Sequence, residues 1–254
     1  MDLFQAIVLG IVEGATEFLP ISSTFHLIWT SKLLQIPVTD FLKLFEVAIQ
    51  AGAILAILVL YGKTLLKDWK LNFKIFASFI PTAVVGLVLY RVIKGIFFEN
   101  MLLQLAVFAG MGILFLIFEK IYKKQNKKLA ELSYLQAIGI GLIQALAVVP
   151  GVSRAGAVML GMMGMGVSRE ESAKYSFLLA VPTILAASVY DLWKMRSLLS
   201  GQMENVQLLI VGSLAAFVSA LIIIKWFIGF LQKNTLNTFG WYRIVVTFIL
   251  LLSR

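Results

Sequence analysis

Long apolar stretches recur along this chain, and their length limits what it can fold into. A helix needs roughly 20 mostly apolar residues to cross the hydrocarbon core of a bilayer. Five stretches have about that length and a sixth is shorter: 41–61, 73–93, 101–118, 170–190, 206–230 and 239–253. Only 14% of the 254 residues are charged, against about 25% in soluble domains. The sequence therefore predicts an all-α polytopic membrane protein and excludes an ordinary soluble globule.

The residue types that the chain lacks narrow its chemistry further. Cysteine is absent and histidine occurs once, at His26, so disulfides, thiol nucleophiles and multi-histidine metal sites are excluded. The formal charge of +9 suits loops that face anionic membrane lipid, and no nucleic-acid partner is expected. The first apolar run contains Glu13 and Glu17, so it is not expected to be a cleavable signal.

Two further apolar segments, 6–34 and 135–166, are interrupted by proline. Pro20 breaks the first segment and Pro150 the second, because proline lacks a backbone N–H and clashes with the preceding helical turn. Serines follow each proline and can cap a second short helix. Each segment is therefore predicted to be a re-entrant hairpin, in which a broken helix enters the bilayer and turns back.

The two hairpins resemble each other in sequence. Pro20 and Pro150 lie 130 residues apart, as do Ser23 and Ser153, whereas a spacing of 131 fits better before the prolines. We expect one membrane domain, 1–254, with two repeats of one hairpin and three spans each, about 1–123 and 131–254. Such a repeat would be inverted, and paired interruptions in inverted repeats indicate a site near the bilayer midplane.

Loop charge predicts the orientation. The loops 62–72 and 119–132 carry Lys63, Lys67, Lys70, Lys120, Lys123, Lys124, Lys127 and Lys128. The loops expected on the opposite side carry Arg91, Lys94, Lys194 and Arg196. Because cytoplasmic loops are enriched in Lys and Arg, we expect the lysine clusters in the cytoplasm, both termini outside, and a site that opens to the outer face.

Glu13 and Glu17 are the first candidate site residues. They lie four residues apart, on one face of a helix, inside an apolar segment where carboxylates are expensive. A divalent cation, Mg²⁺ or Ca²⁺, would relieve their repulsion, since both ions prefer oxygen ligands. The alternative is a pair of solvated glutamates, or one glutamate that is held protonated.

Hydroxyl groups and the single histidine follow the first break. Ser23 and His26 are three residues apart at the start of a helix, which is compatible with a nucleophile and its base. The alternative is that Ser22, Ser23 and Thr24 only cap the helix and that His26 is structural. The nearby carboxylates favour catalysis, because a hydrolase needs these groups together.

The second break carries the candidate phosphate-binding group. Arg154 follows Ser153 inside an apolar segment and needs an anionic partner there. That partner is either an internal glutamate or a phosphate, which Arg binds in a bidentate manner. The free N–H groups at the starts of both short helices would favour phosphate. Glu46 and Gln50, one turn apart in the first span, are expected to hydrogen-bond to the hairpin and support these groups.

Two segments, EGATEFLPISSTFH (13–26) and PGVSRAGA (150–157), resemble the signatures of the undecaprenyl-diphosphate phosphatase family of the bacitracin-resistance type. The similarity extends over about residues 6 to 250. It implies a membrane hydrolase that needs Mg²⁺ or Ca²⁺ and converts a C55 polyprenyl diphosphate to the monophosphate carrier of cell-wall synthesis. Carried over, it makes Glu13, Glu17, Ser23, His26 and Arg154 catalytic.

The same resemblance makes Ser153 and Arg154 a phosphate-binding pair. We also expect Ser22, Thr24 and Gly151 to contact the substrate, and Glu13 and Glu17 to bind the metal. The chain also departs from the family pattern. Phe25 replaces a residue that is often small, and Ala155 and Val158 replace two hydroxyl residues. This chain therefore lacks any hydrogen bonds that these two hydroxyls make in the family.

These observations lead to a lipid diphosphate phosphatase in the bacterial plasma membrane, with Ser23 attacking and His26 as base. Two rivals stay open: a transporter or flippase of a lipid phosphate, which inverted repeats and paired glutamates would also suit, and a non-catalytic lipid-phosphate binder. The sequence leaves a homo-oligomer open.

Overall fold

The structure, a computed structural model, describes residues 1–97, 100–122 and 127–252, with the side chains of 90–97 left out. These residues form ten α-helices: α1 Leu3–Thr16, α2 Ser23–Leu33, α3 Asp40–Lys67, α4 Trp69–Phe97, α5 Met101–Ile121, α6 Tyr134–Ala145, α7 Arg154–Gly164, α8 Arg169–Lys194, α9 Met203–Lys233 and α10 Asn237–Leu252. Lys123, Lys124 and the side chains of Arg91 and Lys94 lie outside the described residues.

Five helices are long and apolar enough to cross a membrane, which confirms an all-α polytopic membrane protein. They are Asp40–Lys67, Trp69–Leu89, Met101–Ile121, Arg169–Lys194 and Met203–Lys233. The sixth expected span, α10, has 16 residues and reaches about 24 Å at 1.5 Å per residue, less than the roughly 30 Å hydrocarbon core. Large apolar side chains cover the outside, among them Leu87, Leu135 and Trp193, as expected for a surface that faces lipid.

Both predicted breaks are present. In the first hairpin α1 ends at Thr16 and α2 begins at Ser23. In the second, a 3₁₀ turn over Leu146–Val148 follows α6, and α7 begins at Arg154. A serine with positive φ precedes each short helix, Ser22 at 67° and Ser153 at 72°, which L-residues seldom adopt.

This geometry corrects the predicted register of the repeat. Ser22 is equivalent to Ser153, and Ser23 to Arg154, because each pair holds the same place at the start of an 11-residue helix. The spacing is therefore 131 throughout the hairpins, and the pairing of Ser23 with Ser153 was wrong. Proline positions misled the alignment, since a proline anywhere in the break can end the first helix.

The longer helix of each hairpin packs against a span from the other half of the chain. Helix α1 lies on α9, and α6 lies on α4. At both crossings a glycine lets the backbones meet: a Cβ at Gly10 would collide with the Gly212 carbonyl, and one at Gly141 with the Ser78 carbonyl. Small residues at such crossings are typical of membrane helices. The crossings agree with two repeats, whose bounds stay a prediction.

Candidate active site

A cavity of about 200 Å³ lies where the two breaks meet. The first break contributes Ser22, Ser23 and Thr24 to its wall, and the second contributes Gly151, Ser153 and Arg154. Pockets for drug-sized ligands measure about 300–1,000 Å³. The cavity is therefore suited to a small polar head group rather than to a long lipid tail.

Glu17 joins the two hairpins. Its Oε2 accepts a hydrogen bond from the Ser23 hydroxyl, and its Oε1 accepts one from Arg154 Nη2 at 2.9 Å. The Glu17–Arg154 ion pair is mostly buried, where a charge-assisted bond is stronger than in water. The Ser23 hydroxyl and the Arg154 guanidinium thus share the Glu17 carboxylate at the cavity wall.

Arg154 is fixed by more than its ion pair. Its Nη1 donates to the Ser176 carbonyl at 2.6 Å and contacts the Ser176 hydroxyl at 3.3 Å. The guanidinium also lies 5.9 Å from the ring of Phe18. Its Nε is buried and has no acceptor among the described residues. The side chain therefore keeps a donor for a ligand while its orientation is held from two sides.

The structure gives both ring nitrogens of His26 partners other than Ser23. Its Nδ1 lies 2.8 Å from the Ser22 carbonyl and its Nε2 lies 2.8 Å from the Tyr242 hydroxyl. A carbonyl only accepts, so Nδ1 carries a proton, and both ring nitrogens are engaged. The predicted pairing of Ser23 with His26 therefore differs from the structure, in which Ser23 donates to Glu17.

Glu13 is completely buried, and its two carboxylate oxygens have no hydrogen-bond donor in the described ranges. Glu17 lies one turn further along, at the C-terminal end of α1, so two ionised carboxylates there would repel each other. Such oxygens fit a hard divalent cation, and Mg²⁺ is often held by one or two carboxylates plus phosphate oxygens and water. No group of three His, Cys, Asp or Glu side chains within residues 1–97, 100–122 and 127–252 forms a fuller metal site.

The two polar residues of α3 occupy different places. The Glu46 carboxylate accepts a hydrogen bond from the Ser31 hydroxyl at 3.1 Å, and so contacts the first hairpin as expected. Gln50 lines the cavity itself. Glu13, His26 and Glu46 are thus not wall residues of this cavity, whereas Glu17, Ser23, Gln50 and Arg154 are.

Three polar wall residues were not predicted as site residues: Thr82, Gln144 and Thr183. Gln144 Nε2 donates to Thr82 Oγ1 at 2.8 Å and to Thr183 Oγ1 at 3.3 Å. The sequence held a signal for each of them. Gln144 aligns with Glu13 in the repeat, and each threonine directly follows a proline inside a span.

Arg243 was also missed. It is fully buried on α10, and all its hydrogen bonds in the described part of the chain go to backbone carbonyls. These belong to Pro20 at 2.9 Å, Gly151 at 2.8 Å, Val152 at 3.2 Å and Phe108 at 3.3 Å. One guanidinium therefore ties both breaks together. Its position inside the apolar stretch 239–253 was the available signal, because charged residues there are usually functional.

The three departures from the family pattern lie in packed regions. The ring of Phe25 stacks on Phe108, with centroids 3.9 Å apart. Ala155 and Val158 are buried in α7, and neither belongs to the cavity wall. The missing hydroxyls therefore affect the packing behind the site rather than its surface.

Comparisons with known proteins agree on one relationship. The family described as bacitracin resistance protein BacA matches residues 6–249. The undecaprenyl-diphosphatase of Aquifex aeolicus is 46% identical, over 97% of this chain and 96% of its own. The undecaprenyl-diphosphatases of Persephonella marina and Campylobacter hominis are 44% and 43% identical, over at least 97% of both chains.

Proposed function

This chain belongs to the bacitracin resistance protein BacA family, and from that premise we propose that it is an undecaprenyl-diphosphatase. It hydrolyses undecaprenyl diphosphate to undecaprenyl phosphate and inorganic phosphate, as a multi-pass protein of the bacterial membrane. The observation that carries the proposal is the Ser23–Glu17–Arg154 network at the wall of one cavity. A transporter or a passive binder would not require a hydroxyl held against a carboxylate.

The terminal phosphate binds between the two breaks. Arg154 offers a buried guanidinium with a spare donor, and α2 and α7 both begin at the cavity. The N-terminus of a helix attracts anions through its free N–H groups and its dipole. Ser22, Thr24, Gly151 and Ser153 complete the wall around the head group. The polyprenyl tail stays outside the cavity, among the lipid-facing helices.

Ser23 is the nucleophile and Glu17 accepts its proton. As the bond from Ser23 Oγ to the terminal phosphorus forms, the bond from that phosphorus to the bridging oxygen breaks, and undecaprenyl phosphate leaves. The serine proton passes to Glu17 Oε2, with which it already forms a hydrogen bond. Water then attacks the phosphoserine and loses one proton to solvent, the P–Oγ bond breaks, and Oγ regains the proton from Glu17. Phosphate leaves with the oxygen of that water.

His26 positions the nucleophile. Its ring bridges the Ser22 carbonyl and the Tyr242 hydroxyl, and Ser22 directly precedes Ser23. It therefore fixes the positive-φ residue from which α2 starts. This role replaces the base role that we expected from the sequence.

Glu13 and Glu17 would hold a Mg²⁺ or Ca²⁺ ion. When bound, the ion supplies positive charge that stabilises the developing negative charge on a diphosphate. The support for it is the buried, donor-free carboxylate of Glu13 beside Glu17.

Loop charge supports a cavity that opens to the outer face, and labelling of cysteines introduced at 128 and at 200 tests that orientation.

Phosphate release from undecaprenyl diphosphate by the detergent-purified protein tests the function. We expect turnover that EDTA removes and Mg²⁺ restores, and that Ser23→Ala and Arg154→Ala abolish. Ser200→Ala is the matched control, because Ser200 is exposed in a turn and does not belong to the cavity wall. Wild-type protein without phosphate release, or full turnover by Ser23→Ala, would contradict the proposal.

A further inference from the structure

A polar cluster on the cavity wall plays no part in the steps above. It consists of Gln144 on α6, Thr82 on α4 and Thr183 on α8. Gln144 is 1% exposed, and its amide lies against both threonine hydroxyls. Three helices thus converge to hold one neutral amide at the site of phosphoryl transfer.

The hydroxyl protons fix which way this amide faces. Thr82 donates its proton to the Gly141 carbonyl and Thr183 donates its proton to the Leu179 carbonyl, each at 2.8 Å. A hydroxyl has one proton, so both threonines can only accept from Gln144. The NH₂ group must therefore face the threonines, and the oxygen must face away from them.

That oxygen, Gln144 Oε1, is buried and has no donor within the ranges that the structure describes. Leaving a buried acceptor unpaired is unfavourable, so a ligand is expected to supply the donor. The oxygens of an ionised phosphate cannot do so, because they only accept, and they are drawn to Arg154 and the helix starts instead. Among the species that the reaction brings to the cavity, the attacking water and the P–OH group of the product carry an O–H that can satisfy Gln144.

We propose, on the basis of the function above, that Gln144 Oε1 accepts a hydrogen bond from the attacking water. In the second half-reaction the water oxygen forms a bond to the phosphorus of phosphoserine while the P–Oγ bond breaks. One water proton stays on that oxygen and the other leaves to solvent, as Glu17 returns its proton to Ser23. The same hydrogen bond then holds the P–OH group of the product, because the water oxygen has become its fourth oxygen.

Inorganic phosphate and sulfate separate this role from general anion binding. They are similar in shape, but at neutral pH phosphate carries an O–H and sulfate does not. We expect calorimetric titration of the full-length protein to show a preference for phosphate, which Gln144→Met lowers by about tenfold, the value of one hydrogen bond. Gln144→Glu keeps an oxygen acceptor, so it should bind both anions more weakly but retain the preference. Gln207→Met, which changes an exposed amide on α9 outside the cavity wall, is the control and should keep the wild-type ratio.

Rapid-quench kinetics with substrate labelled on its terminal phosphate supply a second readout. Because the first half-reaction needs no water, Gln144→Met should release one equivalent of undecaprenyl phosphate quickly and accumulate label on Ser23. An unchanged phosphate-to-sulfate ratio in Gln144→Met would overturn the proposal, whether or not the chain turns over its substrate. Failure of the wild type to release phosphate would instead count against the proposed function, since the anion ratio does not depend on turnover.

Discussion

The two hairpins have similar backbones but carry different functional groups. Both short helices have 11 residues and start after a serine with positive φ. The first helical residue is Ser23 in one hairpin and Arg154 in the other, and the longer helix carries Glu13 where its counterpart carries Gln144. One hairpin thus provides the serine hydroxyl and the carboxylates, and the other provides the cation and a neutral amide. A duplicated scaffold can hold an asymmetric site because only a few side chains at the break need to differ.

The halves depend on each other through Glu17. Its carboxylate accepts from Ser23 of its own hairpin and from Arg154 of the other. Arg243 supports this junction from behind, because it binds carbonyls of both breaks. The comparison therefore implies that neither hairpin is active without the geometry of its partner.

The largest effect is expected from removing the shared carboxylate. Glu17→Gln keeps the shape but removes the acceptor for the serine proton and the partner of Arg154. Loss of a general base typically costs about 10²–10⁴-fold in rate, and breaking a buried ion pair costs about 3–5 kcal/mol of stability. Steady-state phosphate release and thermal unfolding measure the two effects. Glu204→Gln, on the exposed first turn of α9, is the control, and equal activity in both variants would refute the shared-carboxylate role.

The next effect separates position from chemistry. Arg243→Lys keeps the charge but cannot reach carbonyls of both breaks with one planar group. We expect kcat/KM to fall about 10–100-fold, since small misplacements of reacting groups have effects of that size, together with a lower Tm. If Arg243→Lys matches the wild type in both kcat/KM and Tm, the hydrogen bonds of Arg243 to the two breaks are not needed to hold the hairpins together.

A smaller effect is expected at the histidine of the first hairpin. Tyr242→Phe removes only the hydroxyl that contacts His26 Nε2, so one hydrogen bond of about 0.5–1.5 kcal/mol is lost. The rate should fall about tenfold at most, and His26→Ala should remain more active than Ser23→Ala. Were His26→Ala inactive while Ser23→Ala kept its rate, the histidine would have to act on phosphorus or on water directly.

The smallest effect concerns the second hairpin. Val158→Thr adds the hydroxyl that the family pattern contains, but this side chain is fully buried and does not belong to the cavity wall. We expect kcat/KM to stay within about tenfold of the wild type, the range of one neutral hydrogen bond. A large gain would mean that a hydroxyl at 158 reaches the site after all.

The sequence was sufficient for the fold class, both breaks and most of the polar residues of the cavity wall. Apolar length predicted the spans, proline predicted the breaks, and intramembrane charge singled out Glu13, Glu17 and Arg154. Hydrogen-bond partners were not predictable, because Ser23 is three residues from His26 but bonds to Glu17, six residues away on the other side of the break. Thr82 and Thr183 were missed for a related reason, since their role depends on helices that the sequence does not place side by side.

A double-mutant cycle on kcat/KM between Glu17→Gln and Arg154→Lys tests the central claim, that the hairpins form one site joined at this pair. If the two residues act as a unit, either single change disrupts the same arrangement. The kcat/KM of the double variant should then be little lower than that of the less active single variant. If the two losses multiply as independent effects, the hairpins contribute separately and the joint site described above is wrong.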